Sequence, residues 1–276
     1  MSPSLGIHVG MPEAEYRSAS GINQSRLKLV SHSLEAYKAD ADLEDDEESK
    51  RSSALRIGTA VHAAAADLQS FCKTYISLPE GARRSTSAEH KQAVARGFSD
   101  DTILSHSEMN RVKGMLSSLF DLPEYATLAT GADKEVALFG EDGPTGLIKK
   151  ALIDIRPHNC RALVDIKTIR SGWCTSRKFS SRCAEMGYDI QAAWYLDLYN
   201  ELCDTDDRRD QFWFIVVESA PPFLARAFVM DPSWVEEARK IYREHLDVIA
   251  HAEATGVWVQ SRKPEIITRP RWASWK

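Results

Sequence analysis

Between Leu152 and Thr168 the chain reads LIDIRPHNCRALVDIKT, in which Asp154, Asp165 and Lys167 punctuate two apolar stretches. Side chains alternate faces along a strand, so Asp165 and Lys167 share one face while Val164 and Ile166 point to the other. The intervening RPHNCRA contains Pro157 and Asn159, which favour a reversal, and a hairpin closing there brings Asp154 beside Asp165. Two carboxylates next to an ammonium at one strand end offer oxygen ligation to a hard divalent ion such as Mg²⁺ or Mn²⁺, completed by water and substrate phosphate. The chemistry this predicts is phosphodiester hydrolysis. Glu135, opening the strand-like KEVALFG, is a third acid able to face the same cleft. A D-x-K triplet alone is more often a solvated edge with a surface ion pair, and it is the hairpin that sets this one apart.

Elements on either side must position these groups. SALRIGTAVHAAAADLQSF predicts a strong helix starting between Ser53 and Gly58, with His62 in its middle. A lone histidine on an alanine-rich helix usually only packs, but Ala60, Ala63 and Ala64 let this helix approach a sheet and offer the imidazole as a ligand. GYDIQAAWYLDLYNEL predicts a second helix carrying Tyr188, Gln191 and Tyr195 on one face; the plain alternative is an aromatic core stripe with an incidental glutamine. Near the start, Ser20 or Asn23 caps a short helix with Leu27, Val30 and Leu34 at helical spacing. Residues 85–122 read as one or two polar helices, with Ser105 or Ser107 as a cap and Val112, Met115, Leu116 and Leu119 on the apolar face.

Strands are expected at 134–140, 146–155 and 162–168, then at QFWFIVVES and near 223–229, followed by a long helix over 232–255. The order predicts an α/β (α+β) sandwich, a mixed sheet flanked by helices, with FWFIVV as a central strand. At 276 residues the chain is read as one large domain.

The net charge of −5 is concentrated: the segment from Asp40 to Glu48 holds seven acids, and the rest of the chain balances at +2. Residues 40–52 are therefore read as an acidic, solvated loop. Basic pairs elsewhere, including Arg83 with Arg84 and Lys149 with Lys150, are candidates to line a phosphate channel. Five cysteines without C-x-x-C spacing argue against a disulfide framework or structural zinc and for reduced, mostly buried thiols. No apolar run reaches the length of a membrane span and no export signal is visible, so a cytoplasmic protein is expected. No G-x-G-x-x-G or P-loop follows any strand, which removes the support for a nucleotide-dependent metabolic enzyme.

Taken together, these residues resemble the PD-(D/E)XK nuclease superfamily, and within it the RecE-type exonucleases. The motifs arrive in the family's order: G-T-A-V-H at Gly58–His62, Glu135, Asp154, D-I-K at Asp165–Lys167, the Gln191 to Tyr195 helix and a terminal P-R-W within Arg269–Ala273. The chain departs from the pattern at Ile153, where the superfamily name places proline, at Asp67, where glutamate is expected, and near Arg83 and Arg84, where one extra residue follows. The resemblance implies a restriction-endonuclease-like core and a bacterial or phage-encoded exodeoxyribonuclease. Mg²⁺, or Mn²⁺, would be held by His62, Asp154, Asp165 and the carbonyl of Ile166. Lys167 would orient or deprotonate water with its pKa lowered by the metal, Glu135 would hold a second ion or its water, and Gln191 would position the lysine or the phosphate. Tyr188, Tyr195, Arg83, Arg84 and Lys150 would contact DNA.

The resemblance further implies 5′-to-3′ digestion of one strand at double-stranded DNA ends, leaving 3′ tails for a RecT-like single-strand annealing partner, by a homo-oligomeric ring. The rivals are a RecB- or Cas4-like nuclease acting on single strands or as an endonuclease, and a catalytically decayed DNA-binding protein on the same scaffold.

Overall fold

The computed structural model describes residues 4–42, 53–259 and 266–269. The acidic segment from residue 43 onward and most of the RPRWA motif lie outside them. The amino-terminal third contains β1 (Gly6–Val9), α1 (Glu13–Ser18), α2 (Gln24–Leu27), α3 (Leu34–Asp42), α4 (Ser53–Ala66) and α5 (Leu68–Thr74). The middle contains β2 (Ile76–Ser77), α6 (Ala88–Ala95), β3 (Ile103–Leu104), α7 (His106–Phe120), α8 (Pro123–Ala129), β4 (Asp133–Glu141), β5 (Ile148–Arg156) and β6 (Ala162–Ile169). The chain continues through α9 (Ser176–Met186), α10 (Tyr188–Leu202), β7 (Gln211–Glu218), β8 (Ala225–Val229) and α11 (Pro232–Thr255).

The main sheet runs β1-β4-β5-β6-β7-β8. Its ladders are antiparallel except between β6 and β7, which lie parallel and are joined by the crossover through α9 and α10. Alternation along β6 and β7 sorts the core into two layers. Leu163, Phe212, Phe214 and Val216 pack with Trp194 and Leu198 of α10 and Leu246 of α11, whereas Val164, Ile166, Ile215 and Val217 pack with Val61 of α4 and Val112 and Met115 of α7. The expected mixed sheet between helices is present. FWFIVV is buried on both faces as predicted for an interior strand, but β7 is next to the edge strand β8, and β5 with β6 occupies the middle.

Local chemistry explains the boundaries. Asn23 caps α2 by accepting the Arg26 N–H at 2.8 Å, and the single expected helix then breaks into α2, a 3₁₀ turn and α3. Ser105 and Glu108 form a full capping box on α7. Asp67 caps α5 through the N–H groups of Gln69 and Ser70. Gly58 lets α4 close on the sheet, since a Cβ there would stand 3.2 Å from the Thr168 hydroxyl. All five cysteines are free thiols; Cys174 and Cys183 are buried, while Cys72 and Cys160 are exposed, contrary to the expectation of mostly buried thiols. No helix among the described residues is long and apolar enough to cross a membrane.

Candidate active site

The β5–β6 hairpin is paired at Ile155 with Val164, which sets Asp154 beside Asp165. Instead of continuing the backbone ladder, Asp154 accepts the Ile166 N–H on Oδ2 at 2.6 Å, and its Oδ1 lies 3.2 Å from Nδ1 of His62 on α4. Both carboxylate oxygens are thus committed. Burial raises the Asp154 carboxyl, but His62, the Ile166 N–H and Lys167 outweigh it and hold the group below its ordinary range. Burial likewise pushes the His62 imidazole down, and Asp154 more than reverses it.

Asp165 is 4% exposed and stands apart in character. Gln191 of α10 donates to its Oδ1. Lys167 Nζ lies 2.7 Å from Oδ2, so the carboxylate is shared between the Gln191 amide and an ammonium. Burial drives the Asp165 carboxyl upward, and Lys167 only partly opposes it. The Lys167 ammonium also sits over the Tyr188 ring, 4.6 Å from its centroid. Its pKa is raised: burial lowers it, and the Asp165 carboxylate prevails. The lowering expected of Lys167 is an effect of a bound metal; without one, the charge facing the amine is Asp165.

Glu135 is directly across from Asp154, since Lys134 faces Ile155 and Val136 faces Ile153. It adopts φ 52°, a left-handed conformation rare for glutamate, in the middle of a strand. Its carboxyl is raised by burial, then by Glu13 and Asp154. Tyr195 lines the same cleft and stays protonated, its pKa pushed up chiefly by burial.

The cleft has a volume of about 570 Å³ and brings together His62, Asp154, Asp165, Lys167, Tyr188, Gln191 and Tyr195. Among the described residues, no three of His, Cys, Asp and Glu converge tightly enough to cage a metal by themselves. The donor set nevertheless fits a hard ion: Asp154 and Asp165 stand side by side across the hairpin and line one cleft, and an ion of the Mg²⁺ type needs only one or two carboxylates when phosphate and water fill the remaining positions. The carbonyl of Ile166 projects from the same strand edge as its N–H, toward Asp154.

A model of a PDDEXK-like domain of unknown function, DUF3799, matches residues 24–266. The chain belongs to the DUF3799 family. A solved protein from Eubacterium rectale, provisionally described as an exonuclease, superposes with a TM-score of 0.61 at 17% identity, over 94% of this chain and 92% of that one. A phage-related exonuclease from Haemophilus somnus 129PT shares 12% identity over 63% of this chain and 92% of its own, with a TM-score of 0.32, too low to carry an argument. No curated protein sequence matches. The shared fold of this DUF3799 protein is the nuclease-like PDDEXK core.

Of the three basic residues expected to contact DNA, Arg83 and Arg84 lie away from the cleft and Lys150 lines it. Arg84 donates to the Ile103 carbonyl at 3.0 Å and pairs with Asp100, so it ties the loop before α6 to β3. Arg83 is exposed beside it, and neither residue lines the cleft. Lys150 reaches the cleft wall, but its ammonium is buried against the carbonyls of Tyr16, Arg17 and Ala19, where it closes the end of α1. Sequence reasoning also missed residues that the fold brings in from the amino terminus. Glu13, Arg17 and Lys28 line the cleft, and the Lys28 pKa is lowered by burial, then by Lys167 and Arg182. The buried Gln24, bonded to the Gly187 carbonyl at 3.0 Å, was the available signal that α2 docks against α10.

Proposed function

We propose that this DUF3799 protein is a metal-dependent exodeoxyribonuclease that hydrolyses phosphodiester bonds of linear double-stranded DNA in the RecE manner, 5′ to 3′, leaving 3′ single-stranded tails. The single observation that carries the reading is the convergence in one cleft of two neighbouring carboxylates, Asp154 and Asp165, with His62 3.2 Å from the first and the Lys167 ammonium 2.7 Å from the second.

Nucleases with this core generally use divalent metals, and Mg²⁺ or Mn²⁺ suits the oxygen donors of Asp154, Asp165 and the Ile166 carbonyl, with His62 as a nitrogen donor. Such an ion supplies a Lewis acid for the phosphate and a more acidic water. The chain's own residues do the rest. Asp154 keeps His62 and the Ile166 backbone in place; Gln191 orients Asp165; and Lys167, protonated, donates to the phosphate oxygen on which charge builds as water attacks phosphorus and the bridging oxygen departs. Glu135, across the ladder from Asp154 and with a raised carboxyl, would accept a proton from that water or bind a second ion. Tyr188 and Tyr195 present phenols to the strand. Assembly as a homo-oligomeric ring would turn basic side chains toward the duplex despite the net charge of −5, and a RecT-like annealing protein is the expected partner for the tails.

The test is digestion of linear duplex DNA labelled at either end, in Mg²⁺, beside closed circles and single strands. Early release of 5′ label with circles intact is expected. Cleaved circles or a preference for single strands would move the protein to a RecB- or Cas4-like activity; no cleavage with any divalent ion would leave a DNA-binding scaffold.

A further inference from the structure

A second cavity, of about 470 Å³, adjoins the catalytic cleft and shares Tyr188 with it. It opens at the carboxyl ends of the parallel strands β6 and β7, lined by Thr168 and Arg170 from one and Ser219 from the other. The point where parallel strands end is where α/β sheets commonly receive ligands. Three guanidiniums face it, Arg111, Arg170 and Arg182, against one carboxylate, Glu185, which pairs with Arg182 at the exposed rim. Arg111 is fixed on the wall by donating to the Ser219 carbonyl at 2.8 Å. The Arg170 guanidinium carbon stands over the Trp173 ring, 4.1 Å from its centroid, and no carboxylate among the described residues pairs with it.

This platform is built rather than incidental. The loop bearing Trp173 is pinned from beneath by Glu218, 3% exposed, whose carboxylate accepts the Cys174 N–H at 2.9 Å and the Ser171 hydroxyl at 3.3 Å. Trp173 itself leans on the α10 core layer. A stacked cation on an aromatic ring, next to two further guanidiniums, matches a flat base joined to a phosphate.

We propose that this cavity seats one unpaired nucleotide of the strand lying in the catalytic cleft, with its base on the Arg170–Trp173 platform and its phosphate on Arg111 and Arg182. The inference rests on the nuclease reading and adds the substrate's form at that position: a single strand, separated from its complement beside the cut.

The test is fluorescence anisotropy with a short single-stranded oligonucleotide in Mg²⁺, using the full chain carrying Lys167→Ala and walking one abasic residue along the oligonucleotide. One position is expected to be sensitive, with affinity falling about tenfold when the base is removed there. Adding Arg170→Ala should weaken the intact oligonucleotide by a similar factor and abolish that sensitivity, while Arg170→Lys should also abolish it yet retain the salt dependence. A flat abasic profile, or losses that multiply independently, would overturn the seat. Digestion by the unmodified chain is assayed in parallel: cleavage with a flat profile removes the seat and leaves the nuclease, whereas a sensitive position without cleavage removes the nuclease and leaves a single-strand binding seat.

Discussion

Asp154 Oδ2 stands 2.6 Å from the Ile166 amide nitrogen and so replaces a backbone acceptor at the point where the β5–β6 ladder stops. The same carboxylate touches His62 from α4, making one side chain the junction of a hairpin, a helix and the proposed ion site. Asp154→Asn retains an acceptor for the N–H but loses the charge. We expect secondary structure by circular dichroism to persist and DNA cleavage to fall by at least about 100-fold, the scale on which a preorganised electrostatic group counts. Asp154→Ala should in addition lower the unfolding midpoint, since it strands a buried N–H at a cost of roughly 1–3 kcal/mol.

Lys167→Ala removes the cation facing Asp165. Cleavage should drop by roughly 10²–10⁴-fold, as for loss of a positioned acid–base group, while DNA binding by anisotropy changes little. Activity close to that of the unmodified chain would rule the lysine out of the chemistry.

Metal binding should register on stability without any DNA present. At 100 times the dissociation constant an ion that binds only the folded state adds about 2.7 kcal/mol, so the thermal midpoint of the unmodified chain should climb with Mn²⁺ or Mg²⁺ concentration. Asp165→Asn should abolish that climb, because it removes one of the two neighbouring carboxylate charges that would hold the ion. A metal-independent midpoint in the unmodified chain would contradict the site.

Glu218 supplies a pH signature. Burial raises its carboxyl, but the N–H groups of Cys174, Gly172 and Trp173 and the Ser171 hydroxyl outweigh this and lower its pKa when folded. A depressed carboxyl stabilises above its unfolded value of about 4.3 and loses that contribution as pH falls through the folded value. Glu218→Gln should therefore be less stable than the unmodified chain at pH 7, by about 1–3 kcal/mol in urea unfolding, with the gap closing at pH values well below 4.

Gly58 sets the approach of α4 to β6, with only 3.2 Å available between a new Cβ and the Thr168 hydroxyl. Gly58→Val should cost about 1–3 kcal/mol by overpacking and reduce cleavage by displacing His62 one turn further along the helix. Equal activity and stability would mean that the helix can shift without consequence for the site.

Much of this site was legible in the linear chain because its parts are local. Asp165 and Lys167 share a face through the two-residue period of a strand, Asp154 joins them through a short hairpin, and Gln191 with Tyr188 follows from helical spacing; none of these depends on distant packing. Strands β4 to β8 and the long α7, α10 and α11 were readable from local apolar runs for the same reason, whereas the short β1, β2 and β3 were not. Arg83, Arg84 and Lys150 show the opposite case. A basic pair in sequence has no direction, and only the fold determined that Arg84 would meet Asp100 and that Lys150 would turn inward to the carbonyls ending α1. The edge position of β8, which leaves FWFIVV off centre, is likewise fixed by strand order rather than by composition.

The sequence by itself determined the ligand types, their order and the secondary structure that carries them, because periodicity and turn chemistry act over a few residues. Only the tertiary structure decided that Asp154 bonds His62 and the Ile166 N–H while Asp165 meets Gln191 and Lys167, and that Glu13, Arg17 and Lys28 arrive from the amino terminus to complete the cleft. Those outcomes depend on burial and on charges brought together from segments far apart in the chain, and neither quantity exists until the layers have packed.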